Sequence, residues 1–339
     1  MSQTILVTGG AGYIGSHCCL ELLKAGHRVV VLDNLSNGSR EALVRVEELS
    51  GERMIFEQVD LRDAAETARV VSAHAFDAVV HFAGLKVVEE STEIPLQYYE
   101  NNVSGTLNLL AAMKKEGIRK LAFSSSCTVY GNPTSLPIRE DSPLAGASPY
   151  GRSKLMVEEI LRDLAQSELG WRLILLRYFN PVGAHPSGRI GEDPIGIPNN
   201  LAPYVMQVAV GRHEHVRVFG NDYETRDGTG VRDYIHVVDL ALGHLAALDA
   251  LEHVEGCVAY NLGTGTGYSV LEVIEAARKV TGREIPTKIV ARRPGDIPEC
   301  YADPAMAAET LGWRATRGLD DMMVDAWRWQ KANPNGFGA

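Results

Sequence analysis

Tyr150 and Lys154 lie four residues apart in the segment SPYGRSK at residues 148–154. Because residues i and i+4 share one face of a helix, this spacing places a phenol beside an ammonium group. A tyrosine with a pKa of about 10 is a weak base, and bringing its pKa near 7 requires about 4 kcal/mol of preference for the phenolate. A neighbouring lysine and a cationic ligand could supply that preference and make Tyr150 a general base. The alternative is an ordinary pair of solvated helical side chains.

Length and composition describe a globular protein with a substantial core: 339 residues, 45% hydrophobic and 22% charged. The net charge of −10 argues against nucleic acid or an anionic membrane as the main partner. No apolar run reaches the length of a membrane span, and the N-terminal MSQTILVTGG enters a strand without a secretory signal pattern. The five cysteines are scattered, unlike a disulfide framework or a zinc site. We therefore expect a cytoplasmic protein without a bound metal.

A strand, a glycine turn, a helix, a second strand and an acid follow one another over residues 4–33. The turn TGGAGYIG satisfies G-x-G-x-x-G with Gly10, Gly12 and Gly15, and Gly9 extends the pattern. Gly12 lets the backbone approach a pyrophosphate at the helix N-terminus, and Gly15 permits close packing of helix on strand. Asp33 follows where an acid binds the adenosine ribose, and its charge would repel a 2′-phosphate. The pattern favours NAD over NADP; a tight turn without a ligand is the alternative.

The alternation of strands and helices continues to about residue 180. Apolar runs predict strands near residues 54–61, 78–82, 121–123 and 173–177, and a helix over 98–115. We therefore predict an α/β fold, a Rossmann-type doubly wound parallel sheet, for an NAD-binding domain at residues 1–180. Residues 181–339, rich in proline and glycine at their start, are predicted to form a smaller mixed α/β substrate-binding lobe. Its 237–251 helix could pack back on the first domain.

Polar residues at predicted strand ends are further candidates, because ligands of open α/β sheets lie at the carboxyl ends of strands. Asp60 could reach an adenine or cap the helix that follows it. Lys86 could meet a phosphate or remain a surface lysine. The serines at 124–126 could be loop residues, but there a hydroxyl would face the same crevice as Tyr150.

The chain carries, in order, TGGAGYIG, HFAGLK, SSSCTVYG, PYGRSK, RYFNPVGAHPSG, GTGVRDYIHVVDL and RRPGD. This set resembles the extended short-chain dehydrogenase/reductase superfamily, and most closely its UDP-glucose (UDP-galactose) 4-epimerases. The resemblance covers essentially the whole chain. It implies reversible epimerisation at C4 of UDP-hexoses, through transient oxidation to a 4-keto sugar with tightly bound NAD. It also implies a homodimer, formed through helices near residues 98–115 and 150–168.

The resemblance assigns roles residue by residue. Tyr150 matches the catalytic base, Lys154 the residue that tunes it and holds the nicotinamide ribose, and Ser126 the hydroxyl partner at the sugar O4. The other positions that match cofactor contacts are Gly9, Gly12, Tyr13, Ile14, Gly15, Asp33, Asn34, Ser36, Asn37, Asp60, Leu61, Phe82, Ala83, Gly84, Leu85, Lys86, Asn101, Ser124 and Phe179. Beside Lys86, Ser126 and Tyr150, the UDP-sugar contacts match Asn180, Asn200, Leu201, Arg217, Val218, Phe219, Arg232, Arg293, Asp296 and Cys300.

Two positions narrow the chemistry that the resemblance implies. Dehydratases of the superfamily carry an Asp-Glu pair just after the serine or threonine, whereas here Cys127 and Thr128 follow Ser126. Cys300 aligns with a sugar-pocket position that is a bulky tyrosine in glucose-restricted members, so we expect room for an N-acetyl group at C2. A shift of one residue would place Tyr301 there instead.

Two other functions compete with this interpretation. One is another NAD-dependent UDP-sugar enzyme, such as a uronic acid 4-epimerase or a decarboxylase, which would need a carboxylate-binding group or a net redox change. The other is a nonenzymatic NAD-sensing protein on the same fold. Such proteins typically lose the tyrosine, whereas Tyr150, Lys154 and Ser126 are all present here.

Overall fold

The computed structural model describes residues 2–293 and 295–338. Its strands are β1 (Thr4–Thr8), β2 (Arg28–Asp33), β3 (Ile55–Gln58), β4 (Ala78–His81), β5 (Lys120–Ser126), β6 (Arg172–Tyr178), β7 (Asn180–Val182), β8 (Val216–Phe219), β9 (Val231–His236), β10 (Gly256–Leu262), β11 (Gly267–Ser269), β12 (Thr287–Val290) and β13 (Glu299–Cys300). Its α-helices are α1 (Tyr13–Lys24), α2 (Arg40–Ser50), α3 (Ala64–Ala73), α4 (Val88–Glu93), α5 (Pro95–Tyr99), α6 (Gly105–Lys115), α7 (Pro149–Ser167), α8 (Leu201–Ala209), α9 (Val237–Ala250), α10 (Val270–Thr281), α11 (Ala305–Thr310) and α12 (Leu319–Ala332).

Seven parallel strands form the main sheet, in the order β10-β6-β5-β4-β1-β2-β3. Side chains alternate between its two faces, so Ile5 and Val7 enter one core while Leu6 enters the other. The first core packs under α1, α2 and α9, and the second under α3, α6 and α7. Burial on both faces explains the nearly continuous apolar runs of these strands and confirms the predicted doubly wound sheet.

The second part of the chain forms a smaller lobe with its own core. Strand β9 pairs with β7, β11 and β13, and β8 pairs with β12. Helices α8, α10 and α12 cover these strands through buried residues that include Val205, Ile274 and Met322. Helix α10 begins with a capping box in which Ser269 and Glu272 bond each other's backbone N–H groups.

The two predicted regions are interleaved in space. β10, which lies far beyond residue 180, forms the edge of the main sheet beside β6, and α9 packs against α1. The helix predicted over 98–115 is also more complex than its sequence pattern indicated. It follows α5 and contains a π-helical turn, Glu100–Ser104, before it continues as α6. That turn carries Asn101 and Asn102 at the edge of the crevice.

Within residues 2–293 and 295–338, every helix is too short or too polar to cross a membrane.

Candidate active site

The glycine turn joins β1 to α1 at the carboxyl edge of the main sheet. Gly9 has a left-handed φ of 72°, and its carbonyl accepts the Gly12 N–H at 3.2 Å. A Cβ on Gly9 would lie 2.6 Å from Ala83 N, and one on Gly15 would lie 2.2 Å from Gly9 O. The turn is therefore packed against the end of β4 and against itself. Helix α1 begins without a capping side chain or an acid in its first turn, as suits a helix that faces a pyrophosphate.

Asp33 ties this turn to the loop after β2. Its carboxylate accepts the N–H groups of Ala11 at 3.0 Å and Leu35 at 2.8 Å. Burial raises the pKa of this carboxyl group, and the two backbone donors partly offset that rise. A buried carboxylate that has two bonds and further acceptor capacity suits ribose hydroxyls.

Asn34 and Asp60 lie beside that loop and bond to each other at 2.8 Å. Arg62 holds the pKa of Asp60 well below its usual range, mainly through its side-chain hydrogen bonds. The helix-capping alternative for Asp60 is wrong, because Asp63 caps α3 by accepting the N–H groups of Ala65 and Glu66. Other residues predicted along the nucleotide are also placed at this edge: Ser36 and Asn37 are exposed, Leu61 is buried, and Tyr13 and Ile14 begin α1.

The loop after β4 lies between the glycine turn and Lys154. A Cβ on Gly84 would lie 3.6 Å from Lys154 Nζ. Leu85 is held by Asn102, whose side chain accepts the Leu85 N–H at 2.8 Å and donates to the Leu85 carbonyl at 3.0 Å. Asn101 in turn donates to Asn102 at 3.0 Å. Asn101 was predicted as a cofactor contact, but Asn102, which holds this loop, was not, because the sequence does not predict the π-helical turn that carries both amides.

Lys86, at the end of that loop, forms an ion pair with Glu192 at 3.1 Å. Glu192 also accepts the Asn200 side-chain N–H at 3.0 Å. Phe82, at the start of the loop, stacks on His244 with 4.7 Å between ring centroids. The structure therefore connects Lys86 with the second lobe, a contact that its sequence position did not predict.

Tyr150, Lys154 and Ser126 meet where β5 ends against α7. Ser148 caps α7 by accepting the Gly151 N–H at 3.1 Å, so Tyr150 and Lys154 lie in its first two turns. The Lys154 ammonium group donates to the carbonyl of Ser124 at 2.7 Å and lies 4.8 Å from the centre of the Phe123 ring. The Ser126 hydroxyl faces the phenol of Tyr150.

Burial dominates the proton affinities of this pair. It raises the pKa of Tyr150 to about 12, although the bond with Ser126 lowers it in part. Burial also lowers the pKa of Lys154 to about 8, against an opposing effect of Glu158. Desolvation outweighs any effect of Lys154 on the phenol, and the joint action of a lysine and a cationic ligand on Tyr150 stays a prediction. Further positive charge beside the phenol is needed to form the phenolate near neutral pH.

Arginine and aromatic side chains of the second lobe form the other wall of the crevice. Asp296 pairs with Arg293 at 3.1 Å and with Arg232 at 3.8 Å. The guanidinium groups of Arg293 and Arg217 lie 4.7 Å and 5.6 Å from the centre of the Phe219 ring. An aromatic face with three guanidinium groups nearby suits a base followed by a diphosphate. The RRPGD motif crosses this wall, and its Pro294 lies outside the described residues.

The remaining predicted sugar-nucleotide contacts are distributed around this wall. Asn200 precedes the first residue of α8, Leu201, while Asn180 begins β7. Val218 is fully buried in the core of the second lobe, so its side chain is unable to contact a ligand and only its backbone could. Only its position in the sequence supports Val218 as a substrate contact.

Cys300, rather than Tyr301, lies in a small buried cluster next to the end of β5. Cys300 is cross-strand partner of Arg232 and packs with Phe179 in a small buried cluster that Cys127 also contacts. Both cysteines are free thiols, and Cys127 is the residue after Ser126. The Tyr301 ring points the other way, where it would meet a Cβ on Gly267 at 3.3 Å. Alternation along the strand thus separates the two side chains.

Comparison with known proteins identifies the class to which this fold and site belong. A family model described as GDP-mannose 4,6 dehydratase matches residues 6–326. UDP-glucose 4-epimerase from Bacillus subtilis is 61% identical over 335 residues, which cover 99% of each chain. The human UDP-glucose 4-epimerase is 58% identical over 345 residues, which cover 100% of this chain and 99% of the human one.

A crystal structure of UDP-glucose 4-epimerase from Bifidobacterium longum, in complex with NAD⁺ and UDP, superposes with a TM-score of 0.96. It is 54% identical, and the match covers 98% of this chain and 99% of that one. Fold and site define an extended short-chain dehydrogenase/reductase. The chain belongs to that family, described by its GDP-mannose 4,6 dehydratase model, and within it to the UDP-glucose 4-epimerases.

Proposed function

We propose that this protein is an isomerase that interconverts UDP-galactose and UDP-glucose by inverting C4 of the hexose, with NAD as its resident cofactor. The observation that carries this function is the convergence of Tyr150, Ser126 and Lys154 at the end of β5. The arginine-lined wall of the second lobe faces them through Arg232 and Cys300. Galactose metabolism is the process that such a reaction serves.

The residues around the glycine turn fit NAD. The turn leaves no room for a Cβ on Gly15, the uncapped start of α1 suits a pyrophosphate, and Asp33 suits a ribose diol. Lys154 would hold the nicotinamide ribose, with Phe179 on the nicotinamide side. When bound, NAD⁺ supplies an acceptor for the hydride of C4, a donor that later returns it, and a positive charge near the phenol.

Tyr150 performs the proton transfer at the sugar. Its phenolate takes the proton of the 4-hydroxyl group, directly or through the Ser126 hydroxyl, while C4 is oxidised to the ketone. The phenol later returns this proton after the sugar has turned its other face to the cofactor side. Lys154 keeps positive charge within the same buried site and thereby favours the phenolate.

The second lobe holds the nucleotide while the sugar turns. Arg232 and Arg293 suit the diphosphate because guanidinium groups bind phosphate oxygens in pairs, and Phe219 offers a ring face to the uracil. Both arginines contact Asp296, which orients their side chains. The site lacks the groups for eliminating a C6 hydroxyl group, because Cys127 and Thr128 stand where dehydratases carry their acid and base.

The test of this function is conversion of UDP-galactose to UDP-glucose by purified protein without added NAD. Tyr150→Phe should lower kcat about a hundred- to ten-thousand-fold while the NAD content of the purified protein stays unchanged. Tyr268→Phe, in the core of the second lobe, is the matched control and should retain activity. Full turnover by Tyr150→Phe would rule out the proposed base.

We further propose activity on UDP-N-acetylglucosamine and UDP-N-acetylgalactosamine. Cys300 and Cys127 are small side chains near Ser126, which supports room for a substituent at C2 where a tyrosine would fill it. Cys300→Tyr should lower kcat/KM for the acetylated pair at least about tenfold more than for UDP-glucose and UDP-galactose, since a bulky ring discriminates by steric exclusion. Cys300→Ala should retain both pairs. Absence of turnover of the acetylated sugars by the parent protein would contradict this proposal.

A homodimer and a cytoplasmic location complete the proposal. Helices α5, α6 and α7 expose Leu96, Leu107 and Met156 on neighbouring surfaces, with 82%, 46% and 41% of each residue accessible. Such a patch favours self-association. Leu107→Glu combined with Met156→Glu should yield monomers in sedimentation experiments, and a monomeric parent would refute the dimer. All five cysteines are free thiols, which suits a reducing compartment.

A further inference from the structure

A buried carboxylate lies one helical turn beyond the catalytic lysine. Glu158 follows Lys154 by four residues on α7 and is fully buried, as are Arg177 on β6 and Ser125 on β5. Residues i and i+4 share a helix face, so Glu158 points toward the same strand ends as Lys154. Neither Glu158 nor Arg177 was predicted to have a role from the sequence, and Ser125 was a candidate only as one of three serines.

Glu158 uses both of its oxygens. Oε1 accepts the Ser125 hydroxyl at 2.6 Å and Arg177 Nε at 3.0 Å. Oε2 accepts Arg177 Nη2 at 2.8 Å and Arg162 Nη2 at 2.6 Å. Arg177 also donates to the Tyr130 hydroxyl at 2.8 Å. The carboxylate is therefore fixed by a paired guanidinium contact from β6, a second cation from its own helix and a hydroxyl group from β5.

Strand alternation connects this contact to the reacting groups. Ser125 points from β5 toward α7, so its neighbours Ser124 and Ser126 point to the other side. The same peptide segment supplies the Ser124 carbonyl, which accepts Lys154 Nζ at 2.7 Å, and the Ser126 hydroxyl, which faces Tyr150. A bond that fixes Ser125 thus fixes the two residues on either side of it. Ser125 and Arg177 are also cross-strand partners, so Arg177 and Glu158 brace the same position.

The charge of Glu158 acts on Lys154 as well. Lys154 is buried among few charged groups: Glu158 on its own helix, His81 on β4 and the phenol of Tyr150. His81 is held neutral by burial, which lowers its pKa to about 3. Around Glu158 lie Arg162 on α7, Arg177 on β6, Tyr130 after β5 and Cys257 on β10. Glu140 also lies near Arg177 and Tyr130. Without the Glu158 carboxylate, Lys154 would lose the acid that raises its pKa.

We propose that Glu158 is a positioning residue of the reaction, which acts through Ser125 on the catalytic strand end and through its charge on Lys154. This inference rests on the proposed function. Its first part is geometric, since Glu158 aligns Ser124 and Ser126 with Lys154 and Tyr150. Its second part is electrostatic, since a carboxylate one helical turn away keeps the buried ammonium group protonated at working pH.

Two substitutions separate these effects. Glu158→Gln removes the charge, so the basic limb of the kcat profile, which reports loss of the Lys154 proton, should move down by about one to two pH units. That shift follows from a separation of about 6 Å at an effective dielectric of about 20. Its kcat at neutral pH should fall about tenfold or more, with KM changed less than about twofold. Ser125→Ala removes only the hydroxyl group and should lower kcat about fivefold with the basic limb unmoved.

Control variants distinguish positioning from stability. Glu158→Asp keeps the charge and should restore the basic limb to within about half a pH unit of the parent. Asp239→Asn removes another buried carboxylate, whose partners Arg317 and Thr316 are not among the candidate site residues. It should lower the unfolding midpoint while leaving the pH profile in place. NAD content and an ultraviolet titration of the Tyr150 phenolate provide readouts that do not depend on turnover.

The outcomes are distinct. If the parent protein fails to convert UDP-galactose, the proposed function fails. If the parent is active and folded Glu158→Gln retains its kcat and its basic limb, the positioning role is refuted. Loss of kcat in Glu158→Gln without any shift of the limb, matched by Asp239→Asn, also refutes it and assigns Glu158 to folding alone. If Glu158→Gln does not fold, a kcat of Ser125→Ala equal to that of the parent refutes the geometric part. Arg162→Gln removes a cation that pairs with Glu158 and should move the basic limb up, so an unmoved limb in that variant refutes the electrostatic part.

Discussion

Alanine at Gly12 and alanine at Gly15, two positions of the same glycine turn, should have different effects. Gly12 has φ −78° and ψ 177°, which alanine adopts without strain, and a Cβ there would meet nothing closer than Gly9 O at 3.3 Å. A Cβ on Gly15 would lie 2.2 Å from the same oxygen, about 0.8 Å inside the 3.0 Å that real Cβ atoms keep. A methyl group at Gly12 requires Gly9 O to move by only a few tenths of an ångström, whereas one at Gly15 would overlap the backbone.

The energies follow from this difference. An extra methyl group in a well-packed site lowers the free energy of unfolding by about 1–3 kcal/mol. Because the backbone at Gly15 is rigid, we expect Gly15→Ala to lose about 2 kcal/mol, after the gain in helix propensity is included. For 339 residues, an unfolding entropy of about 2.1 cal/mol/K per residue converts this to about 3 °C. Saturating NAD at about 100 times its Kd should stabilise the protein by about 2.7 kcal/mol, or about 4 °C.

The assay is thermal unfolding of nucleotide-stripped protein, with and without NAD, together with UDP-galactose turnover. Gly12→Ala should unfold within about 1 °C of the parent without NAD and lose most of the 4 °C shift, since its methyl group occupies space that the pyrophosphate needs. Gly15→Ala should unfold about 3 °C lower even without NAD. If NAD raised the unfolding midpoint of Gly12→Ala as much as that of the parent, the proposed position of the pyrophosphate beside Gly12 would be wrong. An unchanged Gly15→Ala midpoint would refute the rigidity of the turn.

Two further predictions concern buried titratable groups. His17, His81 and His244 have pKa values lowered by burial to about 3, 3 and 4, so the unfolded chain binds protons first as the pH falls below about 6.5. The free energy of unfolding is therefore highest above that pH and falls below it, by about 4 kcal/mol at pH 5.5 for the three histidines together. Equal unfolding midpoints at about pH 7.5 and 5.5 would contradict the burial of these histidines in the neutral form. Asp33→Asn should weaken NAD binding at least about tenfold and narrow the preference over NADP, as measured by calorimetry, because an amide neither repels a 2′-phosphate nor satisfies both backbone donors. Unchanged discrimination would show that another residue selects the cofactor.

The parts of the fold that the sequence predicts are those in which local pattern and burial agree. Strands β1, β2 and β4–β6 are buried on both faces, so each appears as a continuous apolar run that ends in glycine or a polar residue. The place of β10 was not predicted, because strand order depends on contacts between segments far apart in the chain. The ion pair between Lys86 and Glu192 was not predicted for the same reason, because the two residues are far apart in the chain.

The candidate site shows a similar limit at the scale of side chains. The spacing of Tyr150 and Lys154 predicts that they share a face, and Ser148 at the start of α7 agrees with it. Spacing carries no information on desolvation, which raises the pKa of Tyr150 rather than lowering it. Spacing also gives no indication of Glu158, because this residue pairs with Arg177 on a strand that comes later in the chain.

Epimerisation places opposite demands on the two ends of the substrate, and the structure distributes them between different elements. The two faces of C4 must in turn reach the cofactor, so the hexose needs freedom to turn while the nucleotide remains fixed. Rigid contacts lie at the nucleotide end, where Asp296 holds Arg232 and Arg293. At the sugar end, Cys300 presents a small side chain to the cluster around Phe179. Because Arg232 and Cys300 are paired neighbours on β9 and β13, we expect this strand pair to lie at the boundary between the fixed diphosphate and the mobile sugar.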